Sequence, residues 1–319
     1  MKKKIKILVT WRIMIEYLIS NKYLLKNKNF HFDFFRTKQS LNENDLKRII
    51  HKYDGMICGD DQINKKVIDL ATNLKVISKW GTGMDSINVD YGRKKGIKIF
   101  NTPNAFTDSV AQLAIAFILI FSRNVIDTHY NIRRGLWPKF KGFLINKKTL
   151  GIIGFGNIGK KIAKLVTKLG MKVIFHDIKN IKISKKQNIK KTSLTNVLKK
   201  SDIVVICCNL NRTSKNLIKM PQLKLMRKNS GIINVARGEI INEESLTKAL
   251  KFKIISFAAL DVFKHEPLKK SNPLMLMRNC ILSSHNAFNT REQVNFVNIN
   301  TLNNLFKGFK IKKNKLIKF

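Results

Sequence analysis

Three short segments in the second half of the chain carry side chains that could work on a carbonyl. Asn234-Val235-Ala236-Arg237-Gly238 ends an apolar run with an arginine. Leu260-Asp261 through Glu266-Pro267 ends another with two acids, and Ser283-Ser284-His285 ends a third with a histidine. Reduction of a 2-keto acid by hydride asks for these groups. A cation must hold the carboxylate and polarise the ketone, a proton donor must reach the ketone oxygen, and a carboxylate must keep that donor charged. Arg237 offers a planar fork that a lysine would not replace. A carboxylate beside an imidazole favours the imidazolium and raises its pKa, which suits a proton donor for ketone reduction, and His285 is a candidate for that donor. His265 adjoins Glu266, but adjacent side chains diverge. His31, His51, His129 and His176 stand in no such context and read as surface or packing residues.

A second constellation is Gly154-Phe155-Gly156-Asn157-Ile158-Gly159, a GxGxxG that follows a predicted strand and opens a predicted helix. In that setting Gly154 permits a tight turn, Gly156 lets backbone approach a pyrophosphate at the helix N-terminus, and Gly159 lets helix and strand pack closely. The next strand ends at Asp177, 18 positions after Gly159. A carboxylate there can bond both ribose hydroxyls and repels a 2′-phosphate, which favours NAD over NADP.

The elements that must position these groups follow from the apolar runs. Lys4 to Thr10, Asp54 to Cys58 and Lys75 to Ser78 read as strands, with helices at Asn44 to His51 and Lys65 to Thr72 between them. Phe106 to Arg123 reads as a long helix with a wide apolar surface. A second alternating series opens at Thr149. It has strands at Leu150 to Ile153, Lys172 to His176, Ile203 to Cys207, Gly231 to Val235, Ser256 to Leu260 and Ile281 to Ser283, and a helix at Lys160 to Leu169. The sequence after about 287 reads as helix with a basic tail. Buried-type strands alternating with helices predict α/β architecture with parallel sheets, whose carboxyl ends bind ligands. All three catalytic candidates close predicted strands.

Composition narrows the classes. A chain of 319 residues suits two domains, and 44% hydrophobic residues are enough for real cores. No apolar run approaches the roughly 20 residues of a membrane span. The charged N-terminus Met1-Lys2-Lys3-Lys4 is followed by a stretch cut by Lys6, Arg12 and Glu16, so no signal peptide is expected. Cys58, Cys207, Cys208 and Cys280 show neither metal-ligand nor disulfide spacing; they fit reduced thiols in the cytoplasm, and no metal site is expected. The net charge of +42 would suit a polyanion partner. The lysines are scattered, however, with abundant Ile and Asn and no basic block interleaved with aromatics, so the charge reads as compositional drift with no specific nucleic-acid site.

Taken in order, Lys79-Trp80-Gly81-Thr82-Gly83-Met84-Asp85, Asn101-Thr102-Pro103, Ser109-Val110-Ala111, the GxGxxG, the arginine segment, the Asp261/Glu266 segment and His285 resemble the D-isomer-specific 2-hydroxyacid dehydrogenase family, which includes D-3-phosphoglycerate dehydrogenase. The resemblance runs over nearly the whole chain. It implies two Rossmann-like doubly wound domains with an interdomain cleft: a discontinuous substrate domain at 1–100 plus 287–319, and an NAD-binding domain at 101–286. Arg237 would bind the substrate carboxylate and carbonyl, His285 would be the general acid/base, and Glu266 would be its partner. Asp261 would hold the nicotinamide carboxamide, and backbone amides at Thr82 and Gly83 would bind the carboxylate. Gly154, Gly156, Asn157, Ile158, Gly159, Asp177, Ala236 and Asp261 form the expected cofactor-binding set. The helix Phe106–Arg123 and the segment Asn131–Trp137 would form much of a homodimer interface.

The chain also departs from the family pattern. Gln112 stands where Glu is common, Phe106 where Asn is, and Cys207 where His is; Ser283-Ser284-His285 replaces Thr-Pro-His. The loop Cys58-Gly59-Asp60-Asp61-Gln62 lacks the Arg-Ser pair that phosphoglycerate dehydrogenases carry there, and two acids would repel a phosphate. No regulatory extension is expected. The expected reaction is reversible hydride transfer between NAD(H) and a D-2-hydroxy acid, phosphoglycerate dehydrogenase-like, with hydroxypyruvate or glyoxylate reduction as the alternative. A non-catalytic NAD-binding scaffold is opposed by the intact Arg237, Glu266 and His285, and a polyanion-binding protein by the scatter of the lysines.

Overall fold

The computed structural model describes residues 3–37, 40–183 and 188–311. The chain divides into two compact units, Met1–Phe106 with Asn289–Phe319, and Thr107–Phe288. The boundaries fall at 106/107 and 288/289 rather than at the expected 100/101 and 286/287. Residues 101–106 stay with the first unit for a physical reason. Thr102 N–H donates to the Gly81 carbonyl at 2.9 Å, and the Phe106 ring lies 5.6 Å from that of Trp80. Likewise Ala287 N–H donates to the Asp261 carboxylate at 3.0 Å, which keeps it in the second unit.

The first unit is a parallel sheet of β1 (Ile5–Val9), β2 (Phe30–Phe34), β3 (Gly55–Cys58), β4 (Val76–Lys79) and β5 (Lys98–Phe100), in the order β2-β1-β3-β4-β5. The inner strands β3 and β4 are buried throughout. The edge strands β2 and β5 were not expected from the sequence: Phe-His-Phe-Asp-Phe and Lys-Ile-Phe are short and interrupted by polar groups. Leu8, Met56, Ile77 and Ile99 belong to the core cluster of this unit, and each fully buried aliphatic side chain contributes about 1.5–3 kcal/mol. The helix Arg291–Gly308 returns to this unit, where Phe306 stacks on Phe30 at 5.3 Å. The basic tail from 312 on lies outside the described residues.

The second unit is a seven-stranded parallel sheet of β6 (Thr149–Ile153), β7 (Lys172–His176), β8 (Ile189–Lys191), β9 (Ile203–Ile206), β10 (Gly231–Asn234), β11 (Phe257–Leu260) and β12 (Cys280–Leu282), in the order β12-β11-β10-β9-β6-β7-β8. The chain leaves β6 for β7 on one side and crosses back to β9 on the other. The turn after β6 therefore sits at the point where strand order reverses, the place where such sheets bind ligands. The helix Asn157–Lys168 buries Gly159, Ile162, Ala163 and Val166, a spacing of three and four that lays one face on the sheet. The helix Thr107–Arg123 packs on it, with Lys161 bridging to Asp108 at 2.6 Å, and Phe121 stacks on Phe257 at 4.0 Å. Among the described residues no single helix is long and apolar enough to cross a membrane.

Candidate active site

His285 follows β12 and Glu266 follows β11. The imidazole Nδ1 lies 2.7 Å from Glu266 Oε2, and both side chains are about one-fifth exposed. The other carboxylate oxygen of Glu266 accepts the Phe263 N–H at 2.9 Å, which aims the carboxylate at the ring. His265, the neighbouring alternative, is exposed.

The backbone of His285 is in the left-handed region, at φ +53°, which costs a residue with a β-carbon roughly 1–3 kcal/mol. Asp261 offsets that cost. Its side chain is fully buried and accepts Ser283 Oγ at 2.6 Å, Asn286 N–H at 2.9 Å and Ala287 N–H at 3.0 Å, while its carbonyl accepts His285 N–H at 2.7 Å. Asp261, expected at the nicotinamide, is thus also the anchor of the histidine loop. Ser283, noted in the sequence only as a departure, supplies part of that anchor.

Arg237 and Ala236 follow β10. Asn234, 1% exposed at the end of that strand, ties their turn together: its amide donates to the Arg237 carbonyl at 2.9 Å and its side-chain oxygen accepts Ala236 N–H at 3.0 Å. The Arg237 Nη1 donates to the Ala236 carbonyl at 2.8 Å. A β-carbon on Gly238 would stand 2.0 Å from the Phe263 carbonyl carbon, so only glycine lets the arginine turn press against the loop that carries Glu266. The side chains of Asn234 and Ser283 are the positioning groups that sequence reasoning missed. The signal for Asn234 was its place in the Asn-Val-Ala-Arg-Gly segment.

The dinucleotide residues also stand together. Gly154 has φ +90°, and a β-carbon there would meet the Cys208 backbone at 2.4 Å. On Gly159 it would meet the Gly154 carbonyl oxygen at 2.4 Å, whereas over Gly156 nothing lies within 4 Å. The turn is closed where helix and strands meet and open where a pyrophosphate would approach. The helix carrying Asn157 and Ile158 begins at Gly156 with no capping side chain, as a phosphate-accepting helix start requires. Asp177 lies against this turn, its Oδ2 accepting the Phe155 N–H at 2.7 Å and its Oδ1 the Lys179 N–H at 2.8 Å. These residues fit a dinucleotide.

Thr82 and Gly83 lie in the first unit, in the turn after β4. Gly81 there has φ +105°, the Thr82 carbonyl accepts Asn101 Nδ2 at 2.7 Å, and Thr82 Oγ1 donates to the Thr102 carbonyl at 3.0 Å. Trp80, 3% exposed, fixes the turn from behind by donating its indole N–H to Asn298 Oδ1 at 2.7 Å. The carbonyl and side-chain groups of the turn are thereby used, and the amides of Thr82 and Gly83 make no hydrogen bond among the described residues.

Burial also raises the cysteine thiols of this unit. Desolvation pushes the Cys207 thiol far up and the Cys208 thiol up to about 11, so neither is a nucleophile at neutral pH. Among the described residues no cluster of three His, Cys, Asp or Glu side chains could hold a metal ion.

Comparison with known proteins shows the family. The family model for the D-isomer specific 2-hydroxyacid dehydrogenase NAD binding domain matches residues 115–287. A glyoxylate reductase of Thermofilum pendens is 37% identical over 257 residues, 78% of this chain and 76% of that protein. A D-3-phosphoglycerate dehydrogenase of Methanocaldococcus jannaschii is 37% identical over 235 residues, 72% of this chain but 45% of that protein. The crystal structure of the TT0316 protein from Thermus thermophilus superposes with a TM-score of 0.83 at 26% identity, covering 97% of this chain and 98% of that one. The chain belongs to the D-isomer specific 2-hydroxyacid dehydrogenases, and it is an NAD-dependent oxidoreductase acting on a 2-hydroxy or 2-keto acid.

Proposed function

We propose that Arg237, Glu266 and His285 form the catalytic group of this dehydrogenase, working in the direction of keto-acid reduction. Bound NADH supplies the hydride. Arg237 holds the substrate carboxylate with its guanidinium fork and polarises the ketone oxygen. His285 gives a proton from Nε2 to that oxygen, while Nδ1 stays on Glu266, which keeps the imidazole charged and oriented until transfer. The amides of Thr82 and Gly83 are the carboxylate's further donors. Gly154, Gly156, Asn157, Ile158, Gly159, Asp177, Ala236 and Asp261 hold the dinucleotide.

The observation that carries this reading is the 2.7 Å contact between His285 and Glu266, on a loop locked by Asp261. A buried anchor and a left-handed histidine are costly to maintain, and a scaffold that only bound NAD would gain nothing from them. The test is NADH oxidation with glyoxylate, hydroxypyruvate, pyruvate, 2-ketoglutarate and 3-phosphohydroxypyruvate. At least one acid should be reduced by the wild-type chain and not by His285→Ala.

The working unit we propose is a homodimer in the cytoplasm. Its support is the set of large apolar side chains exposed within 119–144: Leu119, Tyr130, Leu136, Trp137 and Leu144, with Trp137 and Leu144 each 75% exposed. All four cysteines are free, as a reducing compartment would keep them. Sedimentation should give twice the monomer mass, and Trp137→Glu should give the monomer.

A further inference from the structure

The helix Arg291–Gly308 runs antiparallel to β4. At the start of the strand Val76 meets Gly308, where a β-carbon would lie 2.6 Å from the valine Cγ1. Further along, Ser78 Oγ donates to the Thr301 carbonyl at 2.8 Å, and past the strand the Trp80 indole N–H donates to Asn298 Oδ1 at 2.7 Å. Asn298, Thr301, Leu305 and Gly308 follow at steps of three and four and are all buried, so they share one face of the helix. An apolar face would be enough to pack a helix on a sheet. A buried amide such as that of Asn298, 3% exposed, is costly unless it is hydrogen-bonded.

The same helix also reaches the strand beyond. Lys98 Nζ donates to the Gly308 carbonyl at 2.8 Å, and Asn304 Nδ2 donates to the Asn101 carbonyl at 3.0 Å, just past β5. Asn101 passes the hold on, since its own Nδ2 donates to the Thr82 carbonyl at 2.7 Å. Gly81, at φ +105°, is therefore tied on both sides to one helix, through Trp80 before it and through Thr82 after it. Each amide has its chemistry fixed by its partner. An indole N–H only donates, so Asn298 must present oxygen; a carbonyl only accepts, so Asn304 and Asn101 must present nitrogen.

We propose that Asn298 and Asn304 are positioning residues for the keto acid: they hold the turn so that the Thr82 and Gly83 amides stand where a carboxylate needs them. Thr82 is exposed, and exposed loops move unless a scaffold holds them. Two amides grip one carboxylate only while both point at it, and small misplacements weaken the grip steeply. The grip is made in the ground state and kept in the transition state, so loosening it weakens binding and spares the chemical step. The effect on substrate rests on the reading of Thr82 and Gly83 as carboxylate donors; the hold on the turn does not.

The experiment makes Asn298→Asp and Asn304→Asp beside Asn298→Leu and Asn304→Leu. Aspartate keeps an acceptor and loses the donor, so it should serve at 298 and fail at 304, whereas leucine should fail at both. KM and kcat are measured with glyoxylate and hydroxypyruvate. Amide hydrogen exchange across residues 80–84 of the substrate-free protein reads the turn without turnover. In Asn304→Asp and both leucine variants the turn should exchange faster and KM should rise about 10-fold, the scale of one hydrogen bond. In the same variants kcat and the NADH dissociation constant should stay within about twofold of the wild type. Asn298→Asp should lie nearer the wild type in exchange and in KM. Asn304 is only half-buried, so its variants decide the matter if those at the buried 298 do not fold. Unchanged exchange in both Asn304 variants would overturn the proposal, and so would a fall in kcat with KM unmoved, the mark of a general loss of folded protein. Faster exchange with KM and kcat both unmoved would uphold the hold on the turn and overturn the carboxylate reading. Failure of turnover with every acid would count against the catalytic group, and the exchange rates would still uphold or overturn the hold.

Discussion

Asp261 builds the loop that His285 stands on. Its carboxylate accepts the N–H groups of Asn286 and Ala287, and its own carbonyl accepts the N–H of His285 at 2.7 Å. The left-handed φ of the histidine is over-determined by these bonds, and the Glu266 contact follows from it. An acid at this point therefore shapes the loop of the proposed acid/base before any ligand arrives.

Asp261→Asn keeps the shape but turns one acceptor into a donor that faces backbone N–H groups. Each buried hydrogen bond left unmade costs about 1–3 kcal/mol. The expected result is a lower unfolding midpoint in denaturant together with a loss of kcat. A loss of NADH affinity alone, with stability and kcat intact, would assign Asp261 to the nicotinamide and not to the loop.

Gly238→Ala tests the pressure of the arginine turn on the Glu266 loop. The new methyl would fall 2.0 Å from the Phe263 carbonyl carbon, and a backbone cannot yield as a side chain does. Overpacking of this kind costs about 1–3 kcal/mol. Urea denaturation should show that loss, and KM for the keto acid should rise as Arg237 is displaced.

Asp177→Ser tests cofactor choice. The carboxylate lies on the glycine turn, bonded to Phe155 N–H, where a 2′-phosphate would meet its charge. Fluorescence titration of the wild-type chain should give much tighter NADH than NADPH, and the variant should narrow the gap by about 10-fold, the worth of one close charge contact. Equal affinities in the wild type would remove the role given to Asp177.

The overall architecture was legible in the sequence because the inner strands carry near-continuous apolar runs. Lys172 to His176 was placed to the residue, and its neighbours to within one or two. The edge strands Phe30–Phe34, Lys98–Phe100 and Ile189–Lys191 were not. Half-exposed edges tolerate His, Asp and Lys, so their pattern carries little signal. The helices Arg12–Ser20 and Glu243–Lys251 were not expected either. At the site, residue types at strand ends put forward Arg237, the two acids Asp261 and Glu266, and His285, whereas the family resemblance chose Glu266 as the partner of His285 and alone supplied Thr82 and Gly83. The anchoring by Asp261 and Ser283 and the Gly238 contact were hidden, because they depend on which backbone groups three separate loops bring together.

Glu266→Gln tests the electrostatic part of the pair. A carboxylate 2.7 Å from the ring favours the imidazolium, and a neutral amide in its place does not. Keto-acid reduction needs that proton and is lost as pH rises through the imidazolium pKa. In the variant this loss should begin at lower pH, and in the oxidation direction the acid limb should move lower as well. Superimposable pH–rate profiles would show that Glu266 does not set the charge of His285.

The most direct measurement is the turnover of His285→Ala beside its affinity for NADH. A positioned acid/base is worth about 10²–10⁴ in rate, so kcat for the best keto acid should fall by that factor while the dissociation constant of NADH stays within about threefold, because the glycine turn and Asp177 are untouched. Near-normal turnover in His285→Ala would contradict the account, whatever the affinity for NADH.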